Sequence, residues 1–293
     1  MRLRIYLTLI VAAAAIAVAS AAFATSEARV LPNNWGSERL MTYAIYQPNV
    51  GRIGTAYYRV VQSTFETRPA YELRYTGQGG SLSESSICIV DAVTLEPYHT
   101  TRKLKSPQDT FYIDTTYSDG RIAVRRKTGD AGEVRETSSD FPGRIFDYEQ
   151  LMWLVPQLDF SADDRVHFAL FSTVGDQTLL VVVHKMGEDV FDFHDVKHKA
   201  MRYDFTLNLV RQSIWVQTID GVPTAVRYDT GDTTFYNLDL LKTGKPEAKP
   251  APPKEDKPVE AKEPEKPAED AGEGGDEVKP EDDGGEQPPI IPF

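Results

Sequence analysis

Alternation of apolar and polar residues with a period of two runs through most of the chain between residues 38 and 243. Tyr71, Leu73 and Tyr75, for example, alternate with small or charged neighbours. Side chains of a strand point alternately to the two faces of a sheet, so this period predicts strands rather than helices. The chain of 293 residues is therefore expected to fold around a β-sheet core.

Turn residues divide the alternating segments into hairpins. Asp119-Gly120 separates strand-like runs at 109–117 and 121–128, and Asp220-Gly221 separates runs at 211–219 and 222–229. Asp-Gly supplies the positive φ angles of a tight hairpin turn, so both pairs are predicted to be antiparallel. Gly187 is taken as a turn between strands at 177–185 and 188–195, after a strand at 165–172 and before one at 199–207.

One segment has helical spacing instead. Residues 146–155 carry apolar side chains at 148, 151, 152 and 155, which lie on one face of a helix, and Pro156 is expected to end it. The predicted fold is mainly β: a curled antiparallel sheet or half-barrel of about a dozen strands, with this one short helix (about 146–155) on its concave side.

The first 24 residues have the layout of a secretory signal peptide. Arg2 and Arg4 precede an apolar, alanine-rich run over 5–23, which closes on the small-x-small pattern Ala22-Phe23-Ala24. We predict cleavage and a periplasmic or extracellular protein with no stable membrane span, the alternative being an uncleaved membrane anchor.

Composition divides the rest into a short lead at 25–37, a single β-rich domain at 38–243 and a tail at 244–293. The tail holds 7 lysines, 15 acidic residues and 11 of the 19 prolines. It has little to bury, so it is predicted to be disordered and extended. Its apolar end at 289–293 is either a docking segment for an envelope protein or an unremarkable terminus.

Charge and cysteine content exclude several classes of function. The chain carries a formal charge of −12, which argues against nucleic acid as a partner. Cys88 is the only cysteine, so the fold has no internal disulfide, and its apolar flanks predict a buried small hydrophobe rather than a redox residue.

No catalytic or metal-binding motif is found. His194 and His198 have metalloprotease spacing but lack the adjacent glutamate, and in a strand they stand about 13 Å apart, so solvated histidines are expected. We predict no catalytic residue, no metal and no cofactor, and hence no enzyme. A glycosidase pair of carboxylates stays open as an alternative, because the fold sets such pairs.

Aromatic and flexible apolar residues suggest a ligand site on the concave face. The candidates are Tyr148, Met152 and Trp153 on the predicted helix and Trp215 on a strand. They predict an apolar cavity for a lipid or another apolar ligand. The alternative is that these side chains simply fill the core of the sheet.

Several short motifs occur in a recognisable order, namely Glu38-Arg39-Leu40-x-Thr-Tyr43, Gly51-x-Ile-Gly54-x-Ala56, Val90-Asp91-Ala92-x-Thr94-Leu95-x-Pro97, Phe146-Asp147-Tyr148 to Trp153, and Ile214-Trp215-Val216-x-x-x-Asp220-Gly221-x-Pro223. Together they resemble an uncharacterised bacterial family of exported β-rich proteins, the DUF3108 class. This family is similar in outline to periplasmic lipoprotein carriers, whose curled sheet holds acyl chains against a helical lid. The resemblance transfers no catalytic residue, and the acidic tail departs from the family pattern.

The functional expectation follows from these features together. It is an exported, non-enzymatic protein that binds a lipid, a lipidated protein or another apolar ligand in its concave face. The alternative is a structural or adaptor protein of the cell envelope that reaches partners through its tail.

Overall fold

The computed structural model describes residues 28–207 and 209–240. The predicted signal peptide at 1–24 and tail at 244–293 lie outside the described residues. Most of the predicted lead and domain fall within them.

All fifteen described strands belong to one sheet. Their bounds are β1 Glu38–Gln47, β2 Gly51–Phe65, β3 Arg68–Gly79, β4 Leu82–Asp91, β5 Pro97–Lys105, β6 Thr110–Ser118, β7 Arg121–Thr128, β8 Arg135–Asp140, β9 Ile145–Asp147, β10 Arg165–Ser172, β11 Gln177–Phe193, β12 Val196–Leu207, β13 Val210–Ile219, β14 Val222–Asp229 and β15 Thr234–Asn237. The mainly β fold is thus confirmed, with three strands more than the expected dozen.

Two meanders joined at a central seam make up the sheet. Strands β1 to β8 pair in sequence order and form one arm, and β10 to β15 form the other. The seam is the antiparallel pair β1–β15, in which Tyr43 lies opposite Asn237. Among the described strands, only β9 pairs in parallel, with β10 at the far edge.

The sheet curls until its two arms meet. Ile113 and Ile122 of the first arm pack in one apolar cluster with Ile145 of β9 and Phe171 of the second arm. These strands stand near opposite ends of the strand order, so only a strongly curved sheet can bring them together. We call the enclosed face inner and the other face outer.

The connection between β9 and β10 fills the inner face. It runs as a 3-10 turn Tyr148–Gln150, the helix α1 Leu151–Leu154 and a second 3-10 turn Val155–Gln157. We call residues 148–157 the plug. All four side chains of α1 are buried, and a segment that is apolar on every side belongs in a core.

The predicted helix is present but displaced. Residues 146 and 147 belong to β9 because they pair with β10. The α-helix does end before Pro156, at Leu154, and the chain continues through the proline as the second 3-10 turn. Proline is accommodated there because the first turn of a helix needs no N–H from it.

The lead residues 28–37 lie against the plug. Val30 bridges to Leu158, and the Leu31 backbone N–H donates to the Gln157 carbonyl oxygen at 2.7 Å. The Trp35 ring packs edge-on against Trp153, with ring centroids 5.5 Å apart. The lead therefore fixes the C-terminal end of the plug.

Both predicted Asp-Gly hairpins form. Asp119 and Gly120 join β6 to β7 with φ angles of 46° and 73°, and Asp220 and Gly221 join β13 to β14 with 52° and 76°. Gly187 does not make the predicted turn, because it lies in a bulge of the single 17-residue strand β11. A glycine with positive φ suits a bulge as well as a turn.

The tip of the β11–β12 hairpin folds over the outer face. Phe193 of β11 stacks on Tyr236 of β15 with centroids 4.5 Å apart, although three strands stand between them in the sheet. The turn itself is His194-Asp195, both with positive φ. His198 was expected to be solvated, but it is 7% exposed and stacks on Phe191 within this tip.

Candidate functional site

A group of polar side chains lies on the inner face beneath the start of the plug. Glu84, Ser86 and Cys88 alternate along β4 and therefore share one face. The strand register places Arg102 of β5 opposite Ser86, and Thr100 opposite Cys88. Alternation along two neighbouring strands thus builds a polar patch inside an otherwise apolar sheet.

Glu149 of the plug docks on this patch. Its carboxylate accepts from the Ser86 hydroxyl at 2.8 Å and forms an ion pair with Arg102 at 2.8 Å. The other side of the Arg102 guanidinium contacts Glu84. Burial and the neighbouring Glu149 charge raise the pKa of Glu84. The Arg102 guanidinium therefore forms ion pairs with the carboxylates of both Glu84 and Glu149.

Asp147, the last residue of β9, caps the start of the plug. Its carboxylate accepts a hydrogen bond from the backbone N–H of Glu149 at 2.8 Å. In turn, the side-chain oxygen of Gln150 accepts from the Asp147 backbone N–H at 3.0 Å. This is a capping box, which satisfies donors at the start of a helical segment. The Tyr117 hydroxyl donates to the second carboxylate oxygen at 2.5 Å.

The environment of Asp147 disfavours its charge. The side chain is fully buried, and burial, followed by the like charge of Glu149, raises its pKa to about 6. Hydrogen bonds from Tyr117 and Thr100 oppose this shift without cancelling it. The carboxyl therefore changes charge in a mildly acidic range, above the ordinary range of an aspartate.

Cys88 is buried, as predicted. The Thr100 hydroxyl donates to its sulfur at 3.2 Å, and burial raises the pKa of the thiol. A thiol of this kind is a poor nucleophile at neutral pH. These contacts agree with its interpretation as a small core residue.

The structure brings together three of the four predicted ligand residues. Met152 and Trp153 lie buried in the main core with the plug, and Tyr148 interacts with Tyr228 of β14. Trp215 lies instead on the outer face, where its indole N–H donates to Asp189 at 2.9 Å. No single site therefore holds all four.

The space beside Met152 and Trp153 is filled. A gap between these residues and Trp35 and Val222 has no room for a water molecule. The predicted apolar cavity is therefore not open at these residues in this state. Their side chains act as core, which is the alternative that the sequence left open.

An open cleft of about 410 Å³ lies at one end of the sheet. Four connections form it: β2–β3, β4–β5, β6–β7 and β8–β9. Its charged lining is mixed, with three arginines and three acids, namely Arg68, Arg121, Arg144, Glu66, Glu96 and Asp119. A cleft of this character suits a polar segment with charges of both signs rather than an acyl chain.

The cleft walls are held by ordered contacts. Arg144 pairs with Glu96 at 2.8 Å and donates to the Ala28 carbonyl at 2.6 Å. Arg68 lies over the Tyr98 ring, 4.4 Å from its centroid. Tyr117 both lines the cleft and reaches Asp147, so it connects the cleft to the plug.

Across 28–207 and 209–240, no three or more His, Cys, Asp or Glu side chains converge as metal ligands. Within those ranges, no helix combines the length and apolar character that crossing a bilayer requires.

The inner polar group was not predicted from the sequence. The spacing Asp147-x-x-Gln150 before an apolar run was a readable capping signal. The convergence of Glu84, Arg102 and Glu149 had no such signal, because strand register and the placement of the plug bring these residues together from distant parts of the chain.

Comparison with known proteins gives one match. No curated protein and no solved structure matches the chain. The sequence model of a family described as a protein of unknown function, DUF3108, matches residues 41–236, about two thirds of the chain. The match spans β1 to β15 and includes the plug, and the chain therefore belongs to the DUF3108 family.

Proposed function

We propose that this protein is an exported, non-enzymatic adaptor of the cell envelope that binds a polar segment of a partner protein in the cleft. The observation that carries the proposal is the contrast between the two concave regions. The plug fills the inner face, with no room for water beside Met152 and Trp153, whereas the cleft offers about 410 Å³ open to solvent.

A non-enzymatic role is supported by the way the inner acids are used. Glu149 is bound to Arg102 and Ser86, and Asp147 caps the plug. Both carboxylates lie beneath packed side chains. Their bonds account for them as anchors of the plug, which makes a catalytic role unnecessary.

The amino-acid sequence supports both export and contact with a second partner through the tail. The signal-like residues 1–24 favour a periplasmic or extracellular location. The 50 residues of the tail at 244–293 are rich in proline and charge, which gives a long tether if extended. Such a tether lets an adaptor contact a second partner while the domain holds the first.

The test is site-specific photocross-linking in cells that carry the full chain. A photoreactive residue replaces Arg121, in the cleft, or Arg125, which is exposed on the same face of β7 but does not line the cleft. We expect an adduct of defined mass from position 121 that is absent at 125 and is lost in the Arg68→Glu variant. Equal adducts at both positions, or none at 121, would refute a cleft-based adaptor.

A second candidate is binding of a lipid, a lipidated protein or another apolar ligand on the inner face after the plug has moved. What favours it is the apolar surface behind the plug, which includes Leu73, Ile214 and Phe205. The six large apolar side chains at 151–155 and 158 contribute roughly 1.5–3 kcal/mol each by burial, or about 9–18 kcal/mol together. A 16-carbon chain gains about 0.8 kcal/mol for each buried CH₂, or about 12 kcal/mol, so the exchange is balanced.

Native mass spectrometry of the protein purified from an envelope fraction distinguishes the two functions. A bound mass in the lipid range, which disappears when Met152 is replaced by Trp to overfill the inner face, supports the second candidate. A ligand-free mass together with the position-121 adduct supports the adaptor.

A further inference from the structure

The inner polar group has an imbalance of charge. Three carboxyl side chains, Glu84, Asp147 and Glu149, share this region with one guanidinium, that of Arg102. Arg102 contacts Glu84 and Glu149, and Asp147 is held by hydroxyl and backbone donors only. In the fully ionised state the group carries two excess negative charges in a region with little water, which is costly.

Among the residues that the structure describes, the elements packed around Asp147 bring no positive charge into contact with it. β6 provides the Tyr117 hydroxyl, β5 provides Thr100, and β4 provides the Cys88 thiol, whose own ionisation the Asp147 charge opposes. The remaining charged neighbour is Glu149, which is of like sign. Every facing group is thus either neutral or acidic.

We propose that Asp147 is a proton-binding site that locks the plug: one proton taken up in mildly acidic solution holds residues 148–157 more firmly on the inner face. In the step, a hydronium ion gives its proton to the carboxylate and leaves water, and the Asp147 O–H bond forms. The neutral carboxyl still accepts from the Glu149 N–H and now donates to a neighbouring hydroxyl. The proton-binding site at Asp147 does not depend on which partner the cleft binds.

Tyr117 links the proton-binding carboxyl to the wall of the cleft. Tyr117 lines the cleft, and its hydroxyl is 2.5 Å from the Asp147 carboxylate.

The direction and size of the effect follow from linkage. Burial raises the pKa of Asp147 from 3.8 to about 6 when the plug is seated, and release of the plug to water returns it to its ordinary range. Asp147 therefore binds the proton more tightly when the plug is seated. The free energy difference that favours the seated plug over the released plug grows as the pH falls through 6. With these two pKa values for Asp147, a change from pH 8 to pH 5 lowers the population of the released plug about tenfold.

Amide hydrogen exchange of residues 148–157 in the full chain measures this change, after correction for intrinsic exchange at each pH. We expect about tenfold stronger protection at pH 5 than at pH 8 in the wild type, and less than a twofold difference in Asp147→Asn. The matched control is Glu188→Gln, which removes an exposed acid paired with Lys199 and should keep the wild-type pH response.

A second variant tests the proposal independently in case Asp147→Asn does not fold. Tyr117→Phe removes a hydrogen bond that favours the ionised carboxylate, so the midpoint of the protection change should move to higher pH. Carbon NMR of the Asp147 carboxyl gives the same midpoint directly. Equal protection at both pH values in the wild type, or an unshifted midpoint in Tyr117→Phe, would overturn the proposal.

Discussion

Replacement of Arg102 by methionine tests whether the inner polar group holds the plug. The Arg102 side chain is 13% exposed and contacts two carboxylates, those of Glu84 and Glu149, which are 20% and 6% exposed. Methionine fills a similar volume but leaves both acids without a cation. Removal of one partner of a buried ion pair costs about 3–5 kcal/mol, because the remaining charge stays out of water. We expect a loss of that size in the free energy of unfolding at pH 7.

The assay is urea unfolding followed by tryptophan fluorescence, since Trp153 belongs to the plug and Trp35 packs against it in the core. The midpoint should fall with little change in slope. The triple variant Arg102→Met, Glu84→Gln, Glu149→Gln should recover most of the loss, because it removes the unpaired charges. The control is Arg125→Met, whose exposed ion pair with Glu136 is worth less than about 1 kcal/mol.

The pH dependence of Arg102→Met gives a further check. The Arg102 charge opposes the rise in the pKa of Glu84, so this pKa rises further in the folded variant, and the defect should be largest at neutral pH and shrink as the pH falls through it. A loss below about 1 kcal/mol at pH 7, equal to that of Arg125→Met, would refute the role assigned to Arg102.

Three further outcomes are expected from the core and the turns. Cys88 should resist a thiol reagent in the native state and react only on unfolding, because it is fully buried and its thiol pKa is raised; rapid native labelling would contradict this. Gly120→Ala should lower the melting temperature more than Gly36→Ala, because both glycines have φ of 73° but only at Gly120 would the new Cβ come within 3.1 Å of the Phe141 carbonyl oxygen. Trp35→Ala should cost about 3–5 kcal/mol in thermal or urea unfolding, and a near-neutral result would show that the lead is not part of the core.

The fold class and the hairpins were predictable because their causes are local. Period-two alternation gives strands, and Asp-Gly gives hairpin turns wherever it occurs between them. The prediction for Gly187 was wrong because glycines with positive φ occur in bulges as well as in turns. Gly187 lies in a bulge because β12 pairs with β11 on both sides of it. The start of the plug was misplaced because pairing with β10, a tertiary effect, draws residues 146 and 147 into a strand.

The candidate site was only partly predictable. Tyr148, Met152 and Trp153 lie together because they share one short segment. Trp215 could not be assigned to a face, since Ile214 and Trp215 are both apolar and alternation alone does not say which of the two points inward. Glu84, Arg102 and Glu149 meet only through strand register, which no local pattern in the sequence encodes.

The seam between β1 and β15 has a consequence for how the chain matures. Each arm is a meander of neighbouring hairpins and needs only contacts that are close in sequence, which form quickly. The seam joins residues almost 200 positions apart, as in the pair of Tyr43 with Asn237. It therefore closes last, after the whole domain has been synthesised. A chain whose final strand completes the middle of its sheet therefore leaves one edge of β1 unpaired until β15 has been made.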